Sequence, residues 1–94
     1  MLTPGQRALV REIVQRVVPG ATFGVFGSRA TGRARPYSDL DLLITEPKRL
    51  SWRQRVELRD AFETSDLPFC VDVVEGATLA QAVVARVQQE LRAV

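Results

Sequence analysis

The sequence contains no histidine and a single cysteine, Cys70. Structural zinc sites draw on several Cys and His ligands, so one is excluded here. An internal disulfide is excluded too. With Phe69 and Val71 beside it, Cys70 reads as a small buried hydrophobe, and a lone unpaired thiol fits a cytoplasmic setting. No apolar run approaches the roughly 18 residues that would span a bilayer, so no membrane partner is expected. The opening Met1-Leu2-Thr3-Pro4-Gly5 leads into a charged amphipathic segment, not the apolar core of a signal peptide. Lysine is nearly missing as well: Lys48 is the only one, and the remaining cations are arginines. Against 13 basic residues stand 11 acidic ones, leaving a net charge of +2. That excess is too small to indicate a nucleic-acid surface.

What is present is ordinary for a soluble globular chain: 46% apolar and 26% charged residues in 94 positions. One domain covering residues 1–94 is expected, with one modest core. Thr3 to Val18 reads as a helix, opened by Thr3 and Gln6 at capping-box spacing with Pro4 at the first helical position. Leu9, Val10, Ile13, Val14, Val17 and Val18 form its apolar face, and Pro19-Gly20 stops it. Ala21 to Phe26 is a strand and Ser28 to about Arg33 a short helix. Ser38 to Thr45 is a second strand. The connector is too short for a parallel crossover, so these two strands should be antiparallel neighbours.

A second helix is expected over Ser51 to Thr64, again with a capping box at Ser51 and Gln54. Phe69 to Glu75 is a third strand, and the intervening helix allows a parallel crossover. The last helix is expected over Thr78 to Ala93, with Thr78 and Gln81 as a third capping box and Leu79, Val83, Val87 and Leu91 on its apolar side. The order αβαβαβα predicts an α/β (α+β) domain: a small, mixed, three-stranded sheet covered by helices.

The odd residues in this frame are acidic. Aspartate is depleted in strands, yet Asp39 and Asp41 open the apolar run Leu42-Leu43-Ile44. Positions i and i+2 of a strand share a face, so the two carboxylates project side by side. At 4 Å such a pair repels by roughly 1 kcal/mol in water and roughly 4 kcal/mol at the effective dielectric of a protein surface. A hard divalent cation with oxygen ligands, such as Mg²⁺, removes that cost. Asp72, inside Phe69-Cys70-Val71-Asp72-Val73-Val74, can join them if the third strand lies beside the second. Upstream, Gly27-Ser28 ends the first strand at a helix N-terminus, where backbone N–H groups and a hydroxyl favour phosphate. Gly27 admits a ligand close to the backbone, and Arg29 lies in the same turn. These parts suit phosphoryl or nucleotidyl transfer, with a two-metal site as one arrangement.

In this respect the stretch from Phe23 to Ile44 resembles the signature of the nucleotidyltransferases related to DNA polymerase β. It runs Gly27-Ser28, then a spacer rich in Arg and Gly, then Asp39-Leu40-Asp41, with Asp72 on a later strand. The run from Gly27 to Pro36 and the shortness of the chain resemble the minimal nucleotidyltransferases of prokaryotes. The resemblance implies a polymerase β-like palm. It assigns the triphosphate of the nucleotide to Gly27 and Ser28 and the metal-binding pair to Asp39 and Asp41. The third carboxylate falls to Asp72, which binds the catalytic metal and helps deprotonate the attacking hydroxyl. It further implies Mg²⁺ as cofactor and ATP as substrate, with AMP moved onto a hydroxyl. Minimal members are often paired with a helical toxin of the HEPN class. There the nucleotidyltransferase is the antitoxin, similar to enzymes that adenylylate a tyrosine of the toxin. A departure is Tyr37, where relatives often carry a small or polar residue.

Other readings compete with these. Asp39 and Asp41 could be a solvated strand end, and Asp72 the partner of an arginine at a sheet edge. Arg29 is a phosphate contact or an exposed helix residue, while Arg33 and Arg35 suit a solvated face. Trp52 and Phe62 read as core or partner-interface residues. The last helix reads as core packing, with an interface or an oligomer contact as the other use. Nothing resembles the added substrate-recognition domain of larger relatives, which argues against a small-molecule acceptor such as an aminoglycoside. It leaves two classes: an enzyme acting on a protein partner, or a module that neutralises a toxin by binding alone.

Overall fold

The computed structural model describes residues 2–27 and 39–94, with Gln81 and Ala82 described by their backbone only. The first helix, α1 (Pro4–Val17), has Thr3 as its N-cap. The Thr3 hydroxyl accepts from the Gln6 N–H at 3.1 Å, and the Gln6 side chain accepts from the Thr3 N–H at 2.9 Å. This reciprocal pair satisfies two donors that a helix start would leave bare. Ser51 and Gln54 do the same for α2 (Trp52–Glu63).

Three strands form one sheet in the order β1 (Thr22–Phe26), β2 (Leu40–Glu46), β3 (Val71–Glu75). β1 and β2 run antiparallel, and β3 runs parallel to β2 after the crossover through α2. The mixed three-stranded sheet is therefore the one expected from connector lengths. The short helix expected at Ser28 to Arg33 lies outside the described residues.

β2 is central, and its sequence shows it. Leu40, Leu42 and Ile44 are fully buried on the face that packs with Val10, Ile13 and Val14 of α1 and with Leu58 and Phe62 of α2. Leu43 points to the other face and is buried as well, so the strand reads as nearly continuous apolar sequence. On that second face lies α3 (Gln81–Glu90), whose Val87 borders the same cleft as Leu43.

Four expectations need correction. The last helix begins at Gln81, after a 3₁₀ turn at Gly76–Thr78, and its N-cap Ala80 makes no side-chain hydrogen bond. The Thr78 hydroxyl instead donates to the Glu75 carbonyl at 2.8 Å, so the third capping box does not form. The helix also ends early. Leu91 turns extended, and the Val25 and Arg92 backbones pair through N–H···O bonds of 2.9 and 2.8 Å. The tail thus covers the outer edge of β1, which needs Gly24: a Cβ there would sit 2.8 Å from the Arg92 carbonyl oxygen. Third, Cys70 is exposed, because Phe69 and Val71 take the core-facing positions of an alternating segment. Fourth, Trp52 is 76% exposed and so not core, whereas Phe62 is buried.

One buried charge braces the crossover. Glu75 is 7% exposed and accepts from Arg55 Nε, while Arg55 Nη2 donates to the Leu50 carbonyl at 3.2 Å. Removing one partner of a buried pair leaves an uncompensated charge and costs up to about 3–5 kcal/mol. Arg55 is itself 53% exposed, which lowers that figure. Arg55→Met should therefore destabilise the fold by about 1–3 kcal/mol in urea unfolding. Arg53→Met, which breaks only the exposed pair with Glu57, should cost under about 0.5 kcal/mol. Equal midpoints for the two variants would show that the Glu75 pair does not brace the fold.

Candidate active site

Two of the aspartates singled out in the sequence, Asp41 and Asp72, share one face of the sheet, and the third, Asp39, stands close by. Asp41 lies directly opposite Asp72 in the β2–β3 register and opposite Phe26 in the β1–β2 register. Asp39 lies just before β2, and its charge is one of those felt by Asp41. The face of Asp41 and Asp72 is opposite the one where Leu40, Leu42 and Ile44 enter the core. Asp41 is half-buried, while Asp39 and Asp72 are exposed. Register partners on neighbouring strands are about 4.8 Å apart along the sheet, so the fold holds two carboxylates where their charges oppose.

Gly27 follows β1 at the same end of the sheet. Its φ of 74° is in the left-handed region, open to glycine at little cost. A Cβ at this position would collide with the Asp41 carboxylate. The Gly27 backbone is thereby held against Asp41. Ser28 and Arg29, the other members of the expected phosphate turn, lie outside the described residues, as do Arg33, Arg35 and Tyr37.

A fourth carboxylate belongs to the group and was not read from the sequence. Glu90, the last residue of α3, accepts from the Gly27 N–H at 3.3 Å through Oε2. Its Oε1 lies 3.8 Å from Arg86 Nε. A glutamate in the last turn faces the negative end of the helix dipole, and that unfavourable placement is the signal for Glu90 in the sequence. The helix ends at Glu90, short of the Ala93 expected from its apolar side.

The electrostatics follow from this crowding. Burial, and then the negative charges of Asp72, Asp39 and Glu90, push the Asp41 carboxyl above its ordinary value of 3.8. This excess of negative charge is the observation that fits a divalent cation, which hard carboxylate oxygens bind well. Among the described residues, no three such groups are drawn together closely enough to form a ready cage.

A raised folded-state pKa means that ionised Asp41 costs stability. The stability it contributes is complete below the unfolded value of 3.8 and is lost as pH rises through the folded value. In buffer with a chelator, Asp41→Asn should therefore unfold at higher temperature than the parent chain at pH 7. The advantage should shrink on acidification and vanish below about pH 3.8. An unchanged or lower melting temperature at pH 7 would contradict the charge crowding.

With this geometry in place, known proteins supply the context. The chain is 45% identical over 74 residues to the probable protein adenylyltransferase MntA of Haemophilus influenzae, covering 79% of this chain and 65% of that protein. It thus spans about two thirds of the length of the curated relative it matches. A solved structure assigned as a minimal nucleotidyltransferase superposes with a TM-score of 0.77 at 33% identity, covering 96% of this chain and 90% of the other. The described fold accordingly matches a minimal nucleotidyltransferase. The nucleotidyltransferase domain profile matches residues 7–94, a span that holds the glycine turn, all three aspartates and Glu90, and the chain belongs to the nucleotidyltransferase domain family.

Proposed function

We propose that the protein is a Mg²⁺-dependent nucleotidyltransferase that moves AMP from ATP onto a hydroxyl of a protein partner, as an antitoxin acting on a tyrosine of a HEPN-type toxin. The observation that carries the reading is the pairing of Asp41 with Asp72, with Asp39 close by and the Gly27 backbone against Asp41. The family membership supports it, as does the name of the Haemophilus relative, a protein adenylyltransferase.

In this reading Asp39 and Asp41 hold the metal, and Asp72 completes the set. The cation supplies charge neutralisation for the phosphates and for the carboxylates themselves. Gly27, with Ser28 and Arg29 after it, receives the β- and γ-phosphates through backbone N–H groups, a hydroxyl and a guanidinium. Asp72, exposed on the edge strand, takes the proton of the attacking hydroxyl. The acceptor oxygen then bonds to the α-phosphorus, the bond from that phosphorus to the bridging oxygen breaks, and pyrophosphate leaves. Transfer of this kind depends chiefly on placement and charge stabilisation, which a rigid sheet provides.

A second reading is neutralisation by binding alone. It is favoured by Trp52 and Val56, which stand 76% and 46% exposed one turn apart on α2. Exposed aromatic residues of this kind often anchor protein interfaces.

Asp41→Asn and Asp72→Asn should each lower transfer of label from α-labelled ATP to the co-expressed partner by at least about 100-fold, a loss of about 2.7 kcal/mol of transition-state stabilisation. Added Mg²⁺ should raise the melting temperature of the parent chain but not that of Asp41→Asn. Full transfer by both variants would end the enzymatic reading. Protection of cells by the inactive variants would favour binding alone.

A further inference from the structure

The two edges of the sheet are treated differently. The outer edge of β1 is covered by the chain's own tail through the Val25–Arg92 pairing. The outer edge of β3 is paired with no strand among the described residues. The register shows which groups this leaves open. The Leu40 N–H donates to the Cys70 carbonyl at 2.8 Å, and Leu40 aligns with Val71. In a parallel ladder the residues that bond to the neighbour alternate. Asp72 and Val74 therefore direct their backbone groups to β2, while Val71, Val73 and Glu75 direct theirs outward. Exposed rows of this kind are templates for another extended chain.

Beside this edge runs a cleft of about 750 Å³ between β3 and α2. Its apolar floor includes Phe62, Leu67, Phe69, Val71 and Val73, and it reaches Asp39 and Asp72. The arginines on its far wall are already engaged, Arg55 with Glu75 and Arg59 with Glu63. That flank therefore asks for an uncharged, apolar occupant.

We propose that the β3 edge and its cleft dock the acceptor as an extended polypeptide segment, added to the sheet as a fourth strand. The inference rests on the transferase reading above and specifies how the acceptor is held. Alternation fixes the roles of the incoming residues. A residue opposite Asp72 turns its side chain to the carboxylate face, one strand spacing, about 4.8 Å, from Asp72. Its two neighbours turn theirs into the cleft above Val71 and Val73. The segment should thus carry a hydroxyl residue flanked on both sides by apolar ones. Backbone hydrogen bonds supply affinity and the alternate side chains supply selectivity, as in other strand additions. The hydroxyl at that position loses its proton to Asp72 as its oxygen bonds to the α-phosphorus and pyrophosphate departs. A second copy of this chain suits the edge less well, since pairing β3 with β3 brings the carboxylate faces of two sites together.

The test uses a nine-residue peptide alternating valine and threonine about a central tyrosine, at millimolar concentration with the full chain. Amide hydrogen exchange should slow at least tenfold at Val71 and Val73 and stay unchanged at Asp72 and Val74. N-methylation of every second peptide residue should abolish the effect in one phase of the alternation and preserve it in the other. Val73→Pro removes one outward donor at an edge position where proline is tolerated. It should cut labelling of the peptide from α-labelled ATP at least tenfold while leaving the melting shift produced by Mg²⁺ and ATP intact. If Val73→Pro does not fold, the N-methyl series alone decides. Absence of protection at Val71 and Val73, equal effects of both N-methyl phases, or a dimer in sedimentation that the peptide cannot displace would each overturn the inference. Labelling that depends on Asp41 and Asp72 but ignores N-methylation would overturn the docking alone. Labelling indifferent to Asp41→Asn and Asp72→Asn would instead remove the transferase reading.

Discussion

Everything at the candidate site depends on the parallel register of β2 and β3, which fixes Asp41 beside Asp72. Left to themselves, two carboxylates on a flexible chain move apart. Here they cannot, because Leu40, Leu42 and Ile44 on the reverse of the same strand are fully buried. A slip of one residue would turn those side chains to the carboxylate face and the aspartates into the core. Apolar burial, at about 25 cal/mol per Å² removed from water, outweighs the repulsion on the other side. The sheet thus holds unfavourable charge at one point, and burial together with that charge raises the Asp41 pKa.

That stored charge links fold to chemistry. In the proposed function these groups are placed for a charge distribution that arrives with metal and polyphosphate, and without those ligands their charges repel. The Gly27 turn belongs to the same arrangement. Its positive φ and its lack of a Cβ let the backbone come against Asp41. Glu90 then engages the Gly27 N–H from α3, tying the last helix to the turn. The tail beyond α3 is fastened to β1 two residues before Gly27, and Arg7 and Arg11 of α1 donate to the Ala93 and Val94 carbonyls at 3.1 and 3.0 Å. The tail therefore joins α1 to the outer edge of β1.

Much of this was legible in the sequence because it is governed by short-range rules. Thr3 with Gln6 and Ser51 with Gln54 announced two helix starts, and both form. The connector before Asp39 was too short for a crossover, and β1 and β2 are antiparallel. Asp39 and Asp41 announced a cluster of carboxylates, and Asp41 feels the charge of Asp39. The same local logic failed where a competing bond was nearer. Thr78 had the spacing of a cap, but its hydroxyl found the Glu75 carbonyl first. Cys70 was read from its apolar neighbours when the period of two should have decided, and it is exposed.

The sequence by itself determined the two capped helices, the three strands and the pairing sense of those strands, because caps, periodicity and connector length act within a few residues. Tertiary structure alone decided three things. It brought Glu90 to Gly27 across 63 positions of chain, buried Glu75 against Arg55, and covered the edge at β1 while the edge at β3 has no strand beside it among the described residues. Each of these is a contact between segments far apart in the chain. Their closeness is settled only when the shared core chooses one packing, and no local pattern records that choice.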